Sequence, residues 1–219
     1  MKLEVDITKK LKEFTLRSQF TLQDGLTGLV GASGSGKSMT MKCIAGLELP
    51  DSGRIVLDDK VLFDSAKGIN LPPQQRKIGY LFQGYALFPN MNVQENIMCG
   101  LQAKGLAQDK LGLAMANIIE KFQLQGLEGR YPRQLSGGQK QRVALARLLA
   151  AEPKVILLDE PFAALDEDLK EELQENLLAL LTEHGGVALM VSHNKHELRK
   201  MCSNFYKIKA GSVEKVDEI

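Results

Sequence analysis

The chain has 219 residues, enough for one well-buried domain, and its 28 Lys+Arg stand against 27 Asp+Glu for a net charge of +1. A balance this even gives no overall field to gather nucleic acid or an anionic membrane, and nucleic acid is not expected as a partner. Cys43, Cys99 and Cys202 are odd in number and widely spaced. They fit neither a disulfide framework nor a zinc knuckle and are expected as buried thiols in a reducing compartment. Apolar runs such as 155–158, 177–181 and 187–191 fall far short of the ~18 residues of a membrane helix. The N-terminus carries charges where a signal peptide needs its apolar stretch, so the expected location is cytoplasmic.

Residues 3–22 alternate apolar and polar in short pieces (Leu3, Val5, Ile7; Phe14, Leu16; Phe20, Leu22), the period of antiparallel strands with one wet face. The run 26–30 is apolar but for Thr27, and 78–82, 155–158 and 187–191 are continuous. Such runs suit parallel strands covered on both faces. Between the first run and a helix predicted over 37–45 stands GASGSGKS (31–38), of the form G-x-x-x-x-G-K-S. A strand before it and a helix after it are the context that identifies a phosphate loop. Gly31, Gly34 and Gly36 let the backbone curl so that its N–H groups point inward, and the helix N-terminus adds its dipole. The expected cradle is therefore Gly31, Ala32, Ser33, Gly34, Ser35, Gly36, Lys37 and Ser38, with Lys37 on the β/γ-phosphates and the Ser38 hydroxyl offered to Mg²⁺.

Gly46 closes the helix, and GRIVLDDKVLF (53–63) repeats the strand alternation with a turn at Asp58-Asp59. Gln83 ends the 78–82 run. The stretch from about 90 to 150 lacks a buried-strand run and reads as a helical subdomain inserted in the α/β core, with Leu111, Met115, Ile118, Ile119 and Phe122 on one helical face. Within it stands LSGGQ (135–139), where Ser136 and Gln139 have capping-box spacing for the helix that runs through 141–150. Capping does not explain Gly137-Gly138, since glycine costs about 1 kcal/mol in a helix; it points to close approach by another group. In VILLDEP (155–161) a buried strand ends in Asp159 and Glu160. Charge at a strand end is costly unless it meets metal or donors, although helix N-capping is an alternative. Leu169, Leu173, Leu177 and Leu180 share a helical face, and His193 ends the 187–191 run. A lone histidine is more often structural, but strand carboxyl ends define the ligand crevice of an open α/β sheet. FYKIKAGSVEKV, at the end, reads as a hairpin turning at Ala210-Gly211.

The phosphate loop, LSGGQ and the strand ending in Asp159-Glu160 together resemble the ABC ATPases over essentially the whole length. One nucleotide does not need two glycine cradles from one chain. The resemblance implies that each chain holds ATP and Mg²⁺ on the first and covers a partner's ATP with the second, as an ATP-dependent homodimer. It implies an α/β P-loop NTPase fold of ABC type, with an antiparallel β edge and the inserted helical subdomain, residues 1–219 forming one domain. On that pattern Asp159, Ser38 and Gln83 serve the Mg²⁺ shell, and Glu160 polarises the attacking water. Gln83 also contacts that water, and His193 senses the γ-phosphate. Ser136, Gly137, Gly138 and Gln139 meet the nucleotide held by the other subunit, as does the Ala164-Leu165-Asp166 loop. Phe14 lies where relatives place an aromatic against adenine; core packing is the alternative.

FQGYALFPNMNVQENI (82–97) is similar to importer cassettes, in which this region receives a short helix of the membrane subunit. Tyr85, Leu87, Phe88 and Pro89 are either that socket or ordinary core. GRIVLDDKVLFDSAKGINLPPQQRKIGYLFQ (53–83) resembles molybdate-importer ATPases, and sulfate, iron and sugar importers share parts of the pattern. The implied function is ATP hydrolysis for import of molybdate or a similar oxyanion, on the cytoplasmic face of the membrane. Integral membrane permease subunits, and indirectly a substrate-binding protein, are the implied partners. Two other classes stay open. A P-loop kinase would need an acceptor pocket and would not need LSGGQ, and an ATP-gated interaction module would release no phosphate.

Overall fold

The computed structural model describes residues 1–163, 167–209 and 211–219, without the side chains of 167–169. The chain begins with β1 (Lys2–Lys10) and β2 (Thr15–Gln23), longer than the short alternating pieces suggest and paired antiparallel from Lys2↔Gln23 to Lys10↔Thr15. β3 (Gly25–Gly31) and α1 (Lys37–Ala45) follow, then β4 (Ser52–Leu57), β5 (Lys60–Asp64) and β6 (Ile69–Asn70). β4 pairs with the free edge of β1, and the β4–β5 turn sits at Asp58, whose φ is 51°. A short helix α2 (Pro73–Arg76) leads into β7 (Ile78–Leu81). Helices α3 (Val93–Lys104), α4 (Gln108–Lys121) and α5 (Gly137–Ala150) fill the stretch before β8 (Val155–Asp159). Then come α6 (Glu167–His184), β9 (Val187–Val191), α7 (Lys195–Met201), β10 (Asn204–Lys209) and β11 (Ser212–Val216).

The described strands form one sheet in the order β6-β5-β4-β1-β2-β11-β10-β3-β9-β8-β7. Its β10-β3-β9-β8-β7 portion is parallel. The four apolar runs are all there, β3, β8 and β9 centrally and β7 at the edge, and β10 is a fifth parallel strand that its half-exposed alternation conceals. β2 and β11 meet through a single pair, Ser212↔Arg17, which joins the antiparallel wing to the parallel one. α1 lies between the wings. Its Met41, Cys43 and Ile44 pack with Leu3, Ile7, Leu16 and Leu22 of the antiparallel wing and with Leu29, Leu157 and Leu189 of the parallel one. The other face of the parallel wing is covered by residues of α3 to α7, including Ile97, Met115, Val143, Leu177 and Leu198.

Three details differ from the sequence reading. β7 stops at Leu81; Phe82 is exposed and rests on the Tyr80 ring, centroids 4.5 Å apart. On α6 the buried stripe is Leu173, Leu177 and Leu181, whereas Leu180 is half-buried and the Leu169 side chain lies outside the described residues. Of the three thiols only Cys43 and Cys202 are buried, where burial pushes them up to about 11 and about 12; Cys99 is half-exposed. Ala210 of the terminal turn is outside the described residues. Among the described residues no helix is long and apolar enough to cross a membrane.

A sequence feature that pattern alone does not reveal fixes α1. Arg76 is 1% exposed and among the largest fully buried side chains. It donates to the Cys43 and Ile44 carbonyls at the end of α1, to the Leu71 carbonyl and to Asn70 Oδ1, at 2.8–2.9 Å. A cation at a helix C-terminus satisfies both its unpaired carbonyls and its dipole. Gly46, at φ 79°, follows, and a Cβ there would sit 2.5 Å from Arg76 Nε.

Candidate nucleotide site

Parallel pairing brings Gly31, Leu81, Asp159 and Val191 to one edge of the sheet, so the loops after β3, β7, β8 and β9 share one crevice. The phosphate loop starts there. Gly34 (φ 75°) and Gly36 (φ 105°) adopt the left-handed backbone that a Cβ resists, and a Cβ at Gly36 would meet Leu16 at 2.8 Å. Lys37, 6% exposed, folds back to donate to the Gly31 and Ala32 carbonyls at 2.8 and 2.9 Å. Burial lowers its pKa from the usual lysine value, opposed by the Glu160 and Asp159 carboxylates. The Ser35 hydroxyl is buried and has no partner. An unpaired buried donor inside a ring of inward-curled backbone is what an anion would complete.

Asp159 ends β8 at the foot of this loop. Its Oδ1 accepts from Ser38 Oγ at 3.0 Å and its Oδ2 from the Tyr80 hydroxyl at 2.8 Å. Burial and this carboxylate hold the Tyr80 hydroxyl protonated well above the usual tyrosine range. Glu160 follows with φ 51°, a costly conformation for a non-glycine residue that here turns its carboxyl into the crevice. Its Oε2 accepts from the His193 backbone N–H at 3.1 Å, and the His193 Nε2 lies 3.1 Å from Oε1. That second approach lacks hydrogen-bond geometry, so Oε1 is buried without a hydrogen-bond partner. Burial raises the Glu160 pKa; the neighbouring His193 opposes the shift.

The structure therefore gathers Lys37, Ser38, Asp159, Glu160 and His193. Gln83 is not joined to them: it lies exposed in the turn beyond β7, with no hydrogen bond to a described residue. Phe14 is half-buried in the β1–β2 turn, its ring beside Gly211, and packs on the core between the wings. Asp166, with Ala164 and Leu165, lies outside the described residues. A cavity of about 410 Å³ opens beside the loop, bounded by Gly31, Ala32, Ser192, His193 and Lys207. A larger one, about 580 Å³, lies near Lys154 and Gly185 at the opposite edge of the sheet, away from these groups.

LSGGQ opens α5 on a different surface. Ser136 Oγ accepts from the Gln139 N–H at 3.3 Å, and Gln139 Oε1 accepts from the Ser136 N–H at 3.0 Å, closing the capping box. Among the described residues no hydrogen bond or ion pair joins 136–139 to 31–38. The helix is nevertheless tied to the crevice. Buried Gln141 donates to the Pro161 carbonyl at 3.1 Å, which the Tyr85 hydroxyl also approaches at 3.4 Å. Arg147 donates to the Tyr85 carbonyl and lies over the Phe88 ring. Buried Asn96 accepts from the Phe88 N–H and donates to the Phe88, Met91 and Asn92 carbonyls. Tyr85 is buried in this clasp and Leu87 half-buried, while Phe88 and Pro89 are exposed.

A phosphate loop on the edge of a parallel sheet, with an acidic strand end beneath it, defines a P-loop nucleotide-binding fold. The sequence profile of the ABC transporter family matches residues 17–163, and the chain belongs to that family. It is 42% identical over 215 residues to a sulfate/thiosulfate import ATP-binding protein of Thermosynechococcus vestitus, covering 96% of this chain and 62% of that one. It is 38% identical to a molybdenum import ATP-binding protein of Rhodospirillum rubrum (96% and 56% covered) and 42% identical to an Fe(3+) ions import ATP-binding protein of Haemophilus influenzae (90% and 56%). The chain thus spans about three fifths of the length of these curated relatives. Among solved structures, an ATP-binding subunit of an ABC transporter superposes with a TM-score of 0.81 at 25% identity, covering 99% of this chain and 90% of that one. An ATP-binding cassette bound to ADP and Pi, in a dimeric post-hydrolysis state, superposes at 0.77 with 26% identity and complete coverage of both.

Proposed function

We propose that the chain hydrolyses ATP as the energising subunit of an importer, acting as an ATP-dependent dimer with separate membrane permease subunits on the cytoplasmic face. The single observation that carries composite sites is the second glycine pair. Among the described residues a Cβ at Gly138 would meet only Leu173, at 3.4 Å, an ordinary contact. Among the described residues no packing calls for glycine at 138, yet it weakens the first turn of α5, whose cap Ser136 is exposed. A dipole-bearing helix end stripped of side chains suits a phosphate presented from outside, and the same chain's loop does not reach it.

In this reading the phosphate loop and Lys37 bind the triphosphate, and Glu160 accepts the proton of the attacking water. Ser38 and Asp159 form an oxygen-only pair suited to Mg²⁺ and would hold it beside the phosphates. Bound there, Mg²⁺ would offset charge on the phosphates. His193 holds Glu160 in place, and Tyr80 holds Asp159. The transported species is proposed as molybdate or a related oxyanion. The 53–83 segment supports it, and the relatives include sulfate and molybdenum importers beside an iron importer.

The test is phosphate release without any acceptor, measured against protein concentration. The rate should rise faster than linearly through the dimer constant. Glu160→Gln should slow release by about 10²–10⁴-fold and elute as a dimer with ATP. A rate strictly proportional to monomer, with the variant monomeric in saturating ATP, refutes the composite site; release only when an acceptor is added would instead favour a kinase.

A further inference from the structure

Glu197 is a buried carboxyl that the chemistry above does not use. It lies on α7, 5% exposed, and its Oε2 accepts from Ser192 Oγ at 2.5 Å. Its Oε1 is 3.9 Å from the ammonium of Lys170 on α6. Ser192 is itself 6% exposed, and its oxygen accepts from the Asn194 N–H at 3.0 Å. A hydroxyl has one proton, so donation to Glu197 turns a lone pair toward Asn194. The Asn194 side chain in turn accepts from the His196 N–H and caps α7.

His193 is the residue between these two anchors. Its side chain is 61% exposed, so no surrounding core fixes the ring. Its backbone is what the network holds: Ser192 on one side, Asn194 on the other, and its own N–H on Glu160. We propose that Glu197 is a positioning residue for His193, acting through the Ser192 hydroxyl to fix the turn that aims the imidazole at Glu160. A carboxyl in the first turn of a helix also complements its dipole, which alone would be a purely structural role. Burial and the short bond to a hydroxyl of the turn exceed what that role requires, since an exposed acid would serve it equally. The inference rests on the reading of His193 as part of the hydrolytic site.

The experiment uses the full chain labelled in histidine, with the His193 imidazole resonances assigned by their loss in His193→Ala. Glu197→Ala and Ser192→Ala should each shift or broaden those resonances and lower kcat by about 10–100-fold, the scale of a misplaced catalytic group. ADP affinity should stay within about twofold, because the phosphate loop is untouched. Glu197→Gln, which still accepts the Ser192 proton, should restore most of the rate. In a His193→Ala background, adding Glu197→Ala should change kcat by less than about twofold. Multiplying losses there, or an unmoved His193 signal in a folded Glu197→Ala, would overturn the proposal; if Glu197→Ala does not fold, Ser192→Ala carries the same comparison. A His193→Ala chain with undiminished turnover would instead defeat the hydrolytic reading of His193, and the resonances would still decide whether Glu197 holds it.

Discussion

Arg76→Ala should be among the more damaging single substitutions outside the nucleotide crevice. The guanidinium makes four short hydrogen bonds, three of them to the carbonyls of Cys43, Ile44 and Leu71. The Cys43 carbonyl keeps the Gly46 N–H after truncation, at 3.2 Å, so the buried Ile44 carbonyl and the part-buried Leu71 carbonyl are the two that lose the guanidinium without a replacement. An unsatisfied buried group costs about 1–3 kcal/mol. Removing the buried charge returns part of that, and a net loss of about 3 kcal/mol follows. For a chain of this size each kcal/mol lowers Tm by roughly 2–4 °C, so a fall of about 6–12 °C is expected. Urea unfolding at constant slope is the assay, with Arg54→Ala as the control. Arg54 is half-exposed and pairs with Asp64 at 3.5 Å, an interaction worth at most about 1 kcal/mol. Arg76→Lys should recover less than half, because one ammonium cannot reach three separated carbonyls. A loss below about 1 kcal/mol in Arg76→Ala would show that water replaces the guanidinium and that α1 does not depend on it.

Lys37→Ala should reduce turnover at least ~100-fold by removing a preorganised charge from the closed site; phosphate release near the wild-type rate would make the loop incidental. Ser136→Arg should abolish turnover while leaving nucleotide binding by one chain intact, and loss of binding in equal measure would count against a site shared between chains. Glu160 has its folded pKa raised by burial, so its charged form is the disfavoured one. The stabilisation of its protonated form is complete below the unfolded pKa and is lost as pH rises through the folded value. Glu160→Gln should therefore gain stability over wild type as pH rises through that window and show no gain at the acid end. Equal Tm differences at both ends would refute it. The acid limb of the wild-type kcat profile should fall above the ordinary glutamate value.

The parallel strands were legible because a strand covered on both faces needs an apolar run, and 155–158, 187–191 and, but for Thr27, 26–30 supply one. β10 was not, because only Phe205 and Ile208 of its six residues are buried and it reads as half of a hairpin. The glycines and Lys37 were legible because phosphate binding demands them at fixed spacing. Tyr80, Gln141, Arg147, Asn96, Glu197 and Arg76 were not. Each acts on a residue distant in sequence or on a backbone carbonyl, and such contacts leave no periodic trace. Two weak signals existed: an arginine just past the Pro72-Pro73 pair, and a tyrosine whose hydroxyl ends a strand beside an acidic one. Gln83 was marked by its place after the strand. The strand ends at Leu81 and Gln83 lies in an exposed turn without a hydrogen bond to Asp159, and the contacts expected of it are to a metal and a water rather than to a side chain.

The crevice holds its reactive groups in pairs. Lys37 is satisfied by the Gly31 and Ala32 carbonyls, Ser38 by Asp159, and one Glu160 oxygen by the His193 backbone. Phosphate oxygens can replace the carbonyls on Lys37, so binding exchanges one set of partners for another and its free energy is the difference between them. The unpaired Ser35 hydroxyl is where that difference is favourable, because it has a proton to donate and no partner to give up. The Glu160 oxygen without a hydrogen bond is instead an acceptor that suits a water O–H and not a phosphate oxygen. Two consequences follow from the same geometry. Lys37 is kept folded and charged beside two carboxylates until an anion draws it away, and Glu160 stays aimed by a histidine turn that sits outside the phosphate loop. On the proposed function, binding and hydrolysis are thus carried by different loops of one sheet edge, and a substitution can damage either while sparing the other.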